Sequence, residues 1–332
     1  MRGITESLSK VECLLCPKRC QLVEGQRGDC KVRLNLDGKL KTLVYGKVCA
    51  AHVDPIEKKP LLHVLPGSAS FSIATAGCNL HCKFCQNWEI SQREPEETSN
   101  HDFTPQDVVD LAKRYGCKTV AYTYSEPIIF YEYMIDTARL AHDSGIRNVW
   151  VTAAFIEQKP LLELCTEIDA ANIDLKSIRE DYYANVCYGR LKPIQDAIVT
   201  AVKRGVFVEL TNLVVPTMND SEEDLKDLCK WVVDNLGTET PLHFSRFHPM
   251  YQLANLPPTP VETLVTARQI AEECGINYVY IGNVPGLKAN DTHCPRCKTL
   301  LVEREGYQVL QNRVGEEGKC TVCGHRIPGI WK

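Results

Sequence analysis

Three cysteines, Cys78, Cys82 and Cys85, fall in the run Gly77-Cys78-Asn79-Leu80-His81-Cys82-Lys83-Phe84-Cys85, directly after the apolar residues 71–74. A strand in this chain must therefore end on a loop carrying three thiols close together, and the fold has to be built around what they bind. Three such thiolates can hold a cubic four-iron cluster while leaving one iron without a protein ligand. No further cysteine follows before Cys117, so the open iron would be free to bind something that is not protein. Zinc, completed by His81 or His63, is the competing reading. Zinc ligands more often come as two separated C-x2-C pairs than as C-x3-C-x2-C on one loop, so the spacing favours iron and sulfur.

The chain has 17 cysteines, and eleven of them lie in three groups, at 13–30, 78–85 and 294–323. The first residues, Met1-Arg2-Gly3-Ile4-Thr5, lack the apolar region of a secretory signal, which leads us to expect a reducing, cytoplasmic setting. In that setting grouped cysteines point to metal and redox chemistry rather than disulfides. The six scattered ones, Cys49, Cys117, Cys165, Cys187, Cys229 and Cys274, read as small core residues. With 44% hydrophobic and 24% charged residues the composition is that of a soluble globular protein. No stretch approaches the roughly 20 apolar residues of a membrane span. A net charge of −4 argues against a polyanion-binding surface, so neither a membrane nor a nucleic acid is an expected partner.

Along the chain, residues 1–68 read as a Cys-rich module with a β-hairpin, in which Asp37-Gly38 supplies the positive φ angles of a tight turn between 31–36 and 40–45. From 69 to 290 short β-branched runs alternate with amphipathic stretches. The strand candidates are 71–74, 119–124, 148–152, 171–175, 206–215, 243–247 and 278–281. The helix candidates are 104–115, 128–143, 193–203, 221–235 and 260–274, the first with Thr104 as N-cap and Pro105 at its first position. A β-α-β-α rhythm with buried strands implies a parallel sheet wrapped by helices, here short of a full eight-stranded barrel. Its active site belongs at the C-terminal ends of the strands, where the 78–85 loop would sit.

Residues 291–332 read as a third, zinc-ribbon-like module. Cys294 and Cys297 form one C-x2-C knuckle and Cys320 and Cys323 another, 22 residues apart, with a hairpin turning at Glu305-Gly306 between them. Too few apolar residues are present for an unaided core, so metal binding would hold it. At the other end Cys13, Cys16, Cys20 and Cys30 follow a C-x2-C-x3-C-x9-C pattern. The small hairpin that follows leans toward zinc there; a second iron–sulfur cluster is the alternative.

The motif Gly77-Cys78-x3-Cys82-x-Phe84-Cys85, with an aromatic residue before its last cysteine, resembles the signature of the radical S-adenosylmethionine (SAM) superfamily. The resemblance implies an α/β fold, a partial TIM-like (β/α)6 barrel, with a 4Fe–4S cluster whose open iron is chelated by SAM. It implies reductive cleavage of SAM to a 5′-deoxyadenosyl radical that abstracts hydrogen from a substrate, and hence an oxidoreductase that is sensitive to oxygen. Within the superfamily the core is most similar to pyruvate formate-lyase activating enzyme. Ser125-Glu126-Pro127 stands where that family carries a Gly-Gly-Glu-Pro motif for the SAM amino group, which implies contacts from Glu126 and the Ser125 backbone; Ser125 departs from the usual glycine. Thr152 matches a Thr-Asn-Gly motif, although Ala153 and Ala154 break the rest of it. Asp174 and Lys176, two apart and so on one strand face, match an Asp-x-Lys pair near the SAM carboxylate and ribose; a plain surface salt bridge is the alternative. The segment from Leu213 resembles an adenine cradle, His248 falls where the family has a histidine at the adenosine, with His243 as a strand histidine, and Phe84 is a further adenine contact.

Lys59-Pro60-Leu61-Leu62-His63, Pro66-Gly67-Ser68, Cys85-Gln86-Asn87-Trp88, the 243–249 segment and Tyr280-Ile281-Gly282-Asn283 resemble the AmmeMemoRadiSam-system radical SAM proteins over essentially the whole chain. That resemblance implies Memo-like and Amme-like partner proteins, and the chemistry implies an external one-electron donor. Three functions stand open on the residues. The first is hydrogen abstraction from a protein or peptide, as in activating enzymes; the second is the same chemistry on a small molecule or nucleoside; the third is a non-catalytic metal-binding adaptor.

Overall fold

The computed structural model describes residues 10–315 and 317–332. Its centre is an eight-stranded sheet. The strands are β1 (Ala50–Pro55), β2 (Ala69–Ala74), β3 (Thr119–Tyr122), β4 (Arg147–Thr152), β5 (Ala170–Asp174), β6 (Phe207–Val214), β7 (Leu242–Arg246) and β8 (Val279–Gly282), and their spatial order follows the chain. β2 to β8 are all parallel, and β1 pairs antiparallel with β2 along one edge. The edge strands β1 and β8 do not pair with each other among the described residues, so the barrel stays open on one side.

The five helices expected between strands are present, together with a sixth. They are α1 (Pro105–Arg114), α2 (Tyr131–Asp143), α3 (Gln158–Leu164), α4 (Leu191–Lys203), α5 (Glu222–Leu236) and α6 (Val261–Glu273). Thr104 caps α1: its hydroxyl accepts the Asp107 N–H at 3.2 Å and the Asp107 carboxylate accepts the Thr104 N–H at 2.8 Å, satisfying two of the first turn's free donors. The seven-residue α3 has no counterpart in the sequence reading, because Pro160 sits inside it and its pattern is too short to show a period.

Side chains alternate across β6. Val208, Leu210 and Val214 are buried among the core residues shared with the helices, whereas Glu209, Thr211 and Leu213 lie on the other face, inside the barrel. The barrel is therefore apolar on its outside and partly polar within. Near its base Glu209 accepts from the His63 backbone N–H at 2.8 Å and lies 2.7 Å from His243 Nε2, and His63 Nε2 lies 2.6 Å from the Tyr280 hydroxyl.

Of the four smaller sheets among the described residues, two have strands longer than two residues. Arg33–Leu36 and Lys39–Thr42 form the hairpin foreseen from Asp37-Gly38, whose φ values are 54° and 68°. Thr292–His293, Leu300–Glu305 and Gln308–Asn312 form a three-stranded antiparallel ribbon. Two findings differ from the sequence reading of the chain's organisation. β1 falls within 1–68 yet belongs to the central sheet, because its pairing partner is β2. The ribbon shares its core with Leu62, Tyr278 and Tyr280 of the barrel, and residues 327–331 dock on 62–65 through the Leu65 N–H to Ile330 carbonyl (2.6 Å) and Ile330 N–H to His63 carbonyl (2.8 Å) bonds. Among the described residues no helix is long and apolar enough to cross a membrane.

Candidate active site

At the C-terminal end of β2 the chain enters the cysteine loop through Gly77. Its φ is +95°, and a Cβ there would lie 2.5 Å from the Cys30 carbonyl oxygen, so only glycine allows this approach. The loop is tied down from both sides. His81 and Lys83 donate their backbone N–H groups to Cys187 and Val186, both at 3.0 Å, and the Asn87 side chain donates to the Tyr124 carbonyl at 2.8 Å. Cys78, Cys82 and Cys85 line the same large cavity. Both ring nitrogens of His81 are engaged, by Gln92 (2.6 Å) and Asp29 (2.9 Å), and both of His63 by Pro328 and Tyr280, each at 2.6 Å. Neither histidine has a nitrogen left to complete a zinc site on this loop. Three thiols without a fourth protein ligand fit a cluster with one open iron.

The cavity at the mouth of the barrel has a volume of about 530 Å³. Phe84, Ser125, Glu126, Thr152, Asp174, Lys176 and Leu213, all singled out from the sequence, line it together with the three cysteines. Glu126 is buried and heavily bonded: Thr152 donates its hydroxyl to Oε1 at 2.5 Å and Ala153 its N–H to Oε2 at 2.8 Å. Burial nevertheless pushes the Glu126 carboxyl up to about 7, against the pull of those donors. Lys176 and Asp174 form a 2.7 Å ion pair, and the Lys176 side chain is only 11% exposed, so this is not a plain surface bridge. Burial works against the Lys176 charge, but Asp174 overrides it and holds the ammonium well above its ordinary value. The Lys176 ammonium lies 5.6 Å from the centre of the Phe84 ring.

His248 does not join them. β7 ends at Arg246 and Phe247 turns into the core, which leaves His248 exposed at the rim, 3.4 Å from the Asn283 carbonyl. His243, read as a strand histidine, is the one that lines the cavity. Sequence reasoning also passed over Lys59, whose ammonium is 2.6 Å from Asp54 Oδ2 and 4.3 Å from the centre of the Tyr124 ring, both Lys59 and Tyr124 facing the cavity. The Lys58-Lys59-Pro60 run was the available signal, since a proline after two lysines marks a bend rather than a solvated helix face. Cys187 was read as core and is buried, but its thiol donates to Cys82 from outside the cavity lining, lowering Cys82.

In the ribbon, the sulfurs of Cys294, Cys297, Cys320 and Cys323 all lie within 4.8 Å of one another, with Cys294–Cys323 and Cys297–Cys320 each at 3.6 Å. A tetrahedral ion with metal–sulfur bonds of about 2.3 Å would set its sulfurs about 3.8 Å apart, so the four fit one metal ion. The ribbon's Gly306 and Tyr307 reach back to form part of the large cavity's wall.

An open parallel barrel with a three-thiol loop at its mouth defines an enzyme class. The chain belongs to the radical SAM superfamily, whose sequence profile matches residues 72–232. It is 47% identical over 320 residues, covering 96% of this chain and 95% of the relative, to an uncharacterised protein of Methanocaldococcus jannaschii. It is also similar to the pyruvate formate-lyase-activating enzyme of Clostridium pasteurianum, at 21% identity over 54% of this chain and 77% of that one. Among solved structures the fold is similar to a radical SAM methyltransferase from Sphaerobacter thermophilus, with a TM-score of 0.51 and 17% identity over 65% of this chain and 66% of the other. The chain is thus a radical SAM enzyme, similar to the activating enzymes, and the family implies SAM and a 4Fe–4S cluster.

Proposed function

We propose that this enzyme holds a 4Fe–4S cluster on Cys78, Cys82 and Cys85, cleaves SAM reductively, and abstracts hydrogen from a protein or peptide substrate. One observation carries the reading: the three thiols, Glu126 and the Asp174–Lys176 pair line a single cavity. Bound there, cluster and SAM would supply the 5′-deoxyadenosyl radical. The chain's own residues supply the rest. Glu126 offers a carboxylate for the SAM ammonium, Lys176 offers a fixed positive charge for its carboxylate, and Phe84 and Leu213 offer apolar surface for the adenine. At about 530 Å³ the cavity falls within the 300–1,000 Å³ of a small-molecule pocket, which suits SAM, and the protein or peptide substrate rests on the similarity to the activating enzymes. The Memo-like and Amme-like proteins remain the partners this reading expects.

The test is anaerobic reconstitution followed by reduction with SAM present, measuring 5′-deoxyadenosine and methionine. Extract from the source organism, split by ultrafiltration, should then raise 5′-deoxyadenosine formation in the retained fraction. Stimulation by the filtrate alone would move the substrate to the small-molecule class.

Two further results are expected at the pocket. Asp174→Ala leaves Lys176 buried and unpaired, and losing a charge-assisted contact costs about 1.5–3 kcal/mol, so SAM affinity should fall roughly 10- to 100-fold with iron content unchanged. Equilibrium binding under anaerobic conditions measures it. The second concerns pH. Because the Glu126 carboxyl titrates near 7, it carries its proton below that value and cannot hold an ammonium as a carboxylate. The SAM dissociation constant should therefore rise about tenfold per unit as pH falls below 7 and level off above it, and Glu126→Gln should flatten the profile.

For the ribbon we assign zinc to Cys294, Cys297, Cys320 and Cys323, on the close approach of their sulfurs and the C-x2-C pairs.

A further inference from the structure

The four N-terminal cysteines are arranged unlike the four of the ribbon. Cys13, Cys16, Cys20 and Cys30 all line one small cavity, whose wall includes Arg33 and Asn79. Among the described residues, only the ribbon's cysteines gather with every ligand atom within 4.8 Å of the others. The N-terminal four do not, and neither do Cys78, Cys82 and Cys85. A single zinc ion draws its sulfurs together; a cubane takes each thiolate on a different iron, so its ligands stand apart around a hollow. The N-terminal cysteines have the second form.

The lining gives an independent sign. Arg33 is 6% exposed, its terminal nitrogens both hold Glu132 at 2.6 Å, and its buried Nε–H has no acceptor in the protein. The bridging sulfides of a cluster would add acceptors inside that cavity beyond the four thiolates, which are all that a zinc site offers. Backbone N–H groups of Val32 and Arg33 face the Cys30 sulfur and that of Lys18 faces Cys16, as suits anionic cluster ligands.

The position of this cavity matters as much as its shape. The Asn79 side chain meets the Cys16 thiol, Gly77 packs against the Cys30 carbonyl, and His81 Nε2 lies 2.9 Å from Asp29. Positions 77, 79 and 81 of the loop thus face the N-terminal module, and Cys78 lies between the first two.

We infer that Cys13, Cys16, Cys20 and Cys30 hold a second iron–sulfur cluster, and that electrons reach the 78–85 site through it. Four cysteines ligate every iron of a cubane, which leaves none open to bind a substrate and makes electron transfer its use. A low-potential one-electron carrier of the ferredoxin or flavodoxin type is oxidised by one electron. The second cluster accepts that electron and passes it across Asn79 to the first, which ends one electron reduced. The relay rests on the first cluster proposed above; the second site does not.

Reconstitution of the full chain with iron, sulfide and zinc together should give about eight irons and one zinc per chain by metal analysis and Mössbauer spectroscopy. About four irons and two zincs would overturn the site. The Cys78→Ala/Cys82→Ala/Cys85→Ala variant should keep about four irons, with a reduced-state EPR signal that SAM leaves unaltered. Iron in that variant is independent of the SAM reading, because the first site is gone, and its absence there would overturn the proposal. In Cys13→Ala/Cys16→Ala, dithionite should reduce the first cluster at the wild-type rate while reduced ferredoxin does so at least about tenfold more slowly. Equal rates with ferredoxin would overturn the relay.

Discussion

With Cys78, Cys82 and Cys85 changed together to Ala, the protein should lose one four-iron unit and form no 5′-deoxyadenosine above background. Among the described residues, the histidines and the further thiol near the loop are poorly placed to substitute. His81 and His63 have both ring nitrogens committed to other partners, and the thiol nearest to Cys82, that of Cys187, lies outside the cavity lining. Iron analysis with Mössbauer spectra reads the first half of the expectation, and chromatography of the reaction products reads the second. Retention of the SAM-responsive signal or of product would sink the assignment of these three cysteines.

Cys320→Ala should strip about one zinc per chain and open residues 291–332 to protease, while the iron spectrum stays as it was. The ribbon's apolar core is small: Leu301, Val302 and Ile327 are its fully buried aliphatic side chains, and the rest is borrowed from Leu62, Tyr278 and Tyr280. Binding of a structural zinc is worth about 10–16 kcal/mol in small zinc folds, far more than such a core contributes, so one missing thiolate should undo the module. Limited proteolysis followed by mass spectrometry would map the cuts. A fall in iron instead of zinc would show that the ribbon carries a cluster.

Much of this architecture was legible in the sequence, for identifiable reasons. All seven parallel strands could be located because each is a short β-branched or apolar run bounded by a helix with its own period, as with β3 beside the Thr104-capped α1. The cavity residues were found because they fall at strand ends, where a parallel barrel gathers its functional groups. β1 was not assigned to the barrel because Ala50–Pro55 contains His52, Asp54 and Pro55, a polar edge pattern that propensity cannot tell from a loop. His248 lies outside the cavity lining for a related reason. Strand alternation holds only to Arg246, and nothing in the local sequence says that Phe247 turns inward and carries the next residue out to the rim. Lys59 and Tyr124 were missed because they meet across about 65 positions, a contact that no local pattern encodes.

The docking of residues 327–331 onto 62–65 also sets a clock on synthesis. The barrel can grow strand by strand as the chain emerges, since spatial order follows sequence order. Its base cannot be sealed until the ribosome has added Pro328, which meets His63 across 265 positions. At about 5–20 residues per second that interval is roughly 15–50 s. From the addition of His243 until then, the polar interior around Glu209 and His243 stands unsealed from below.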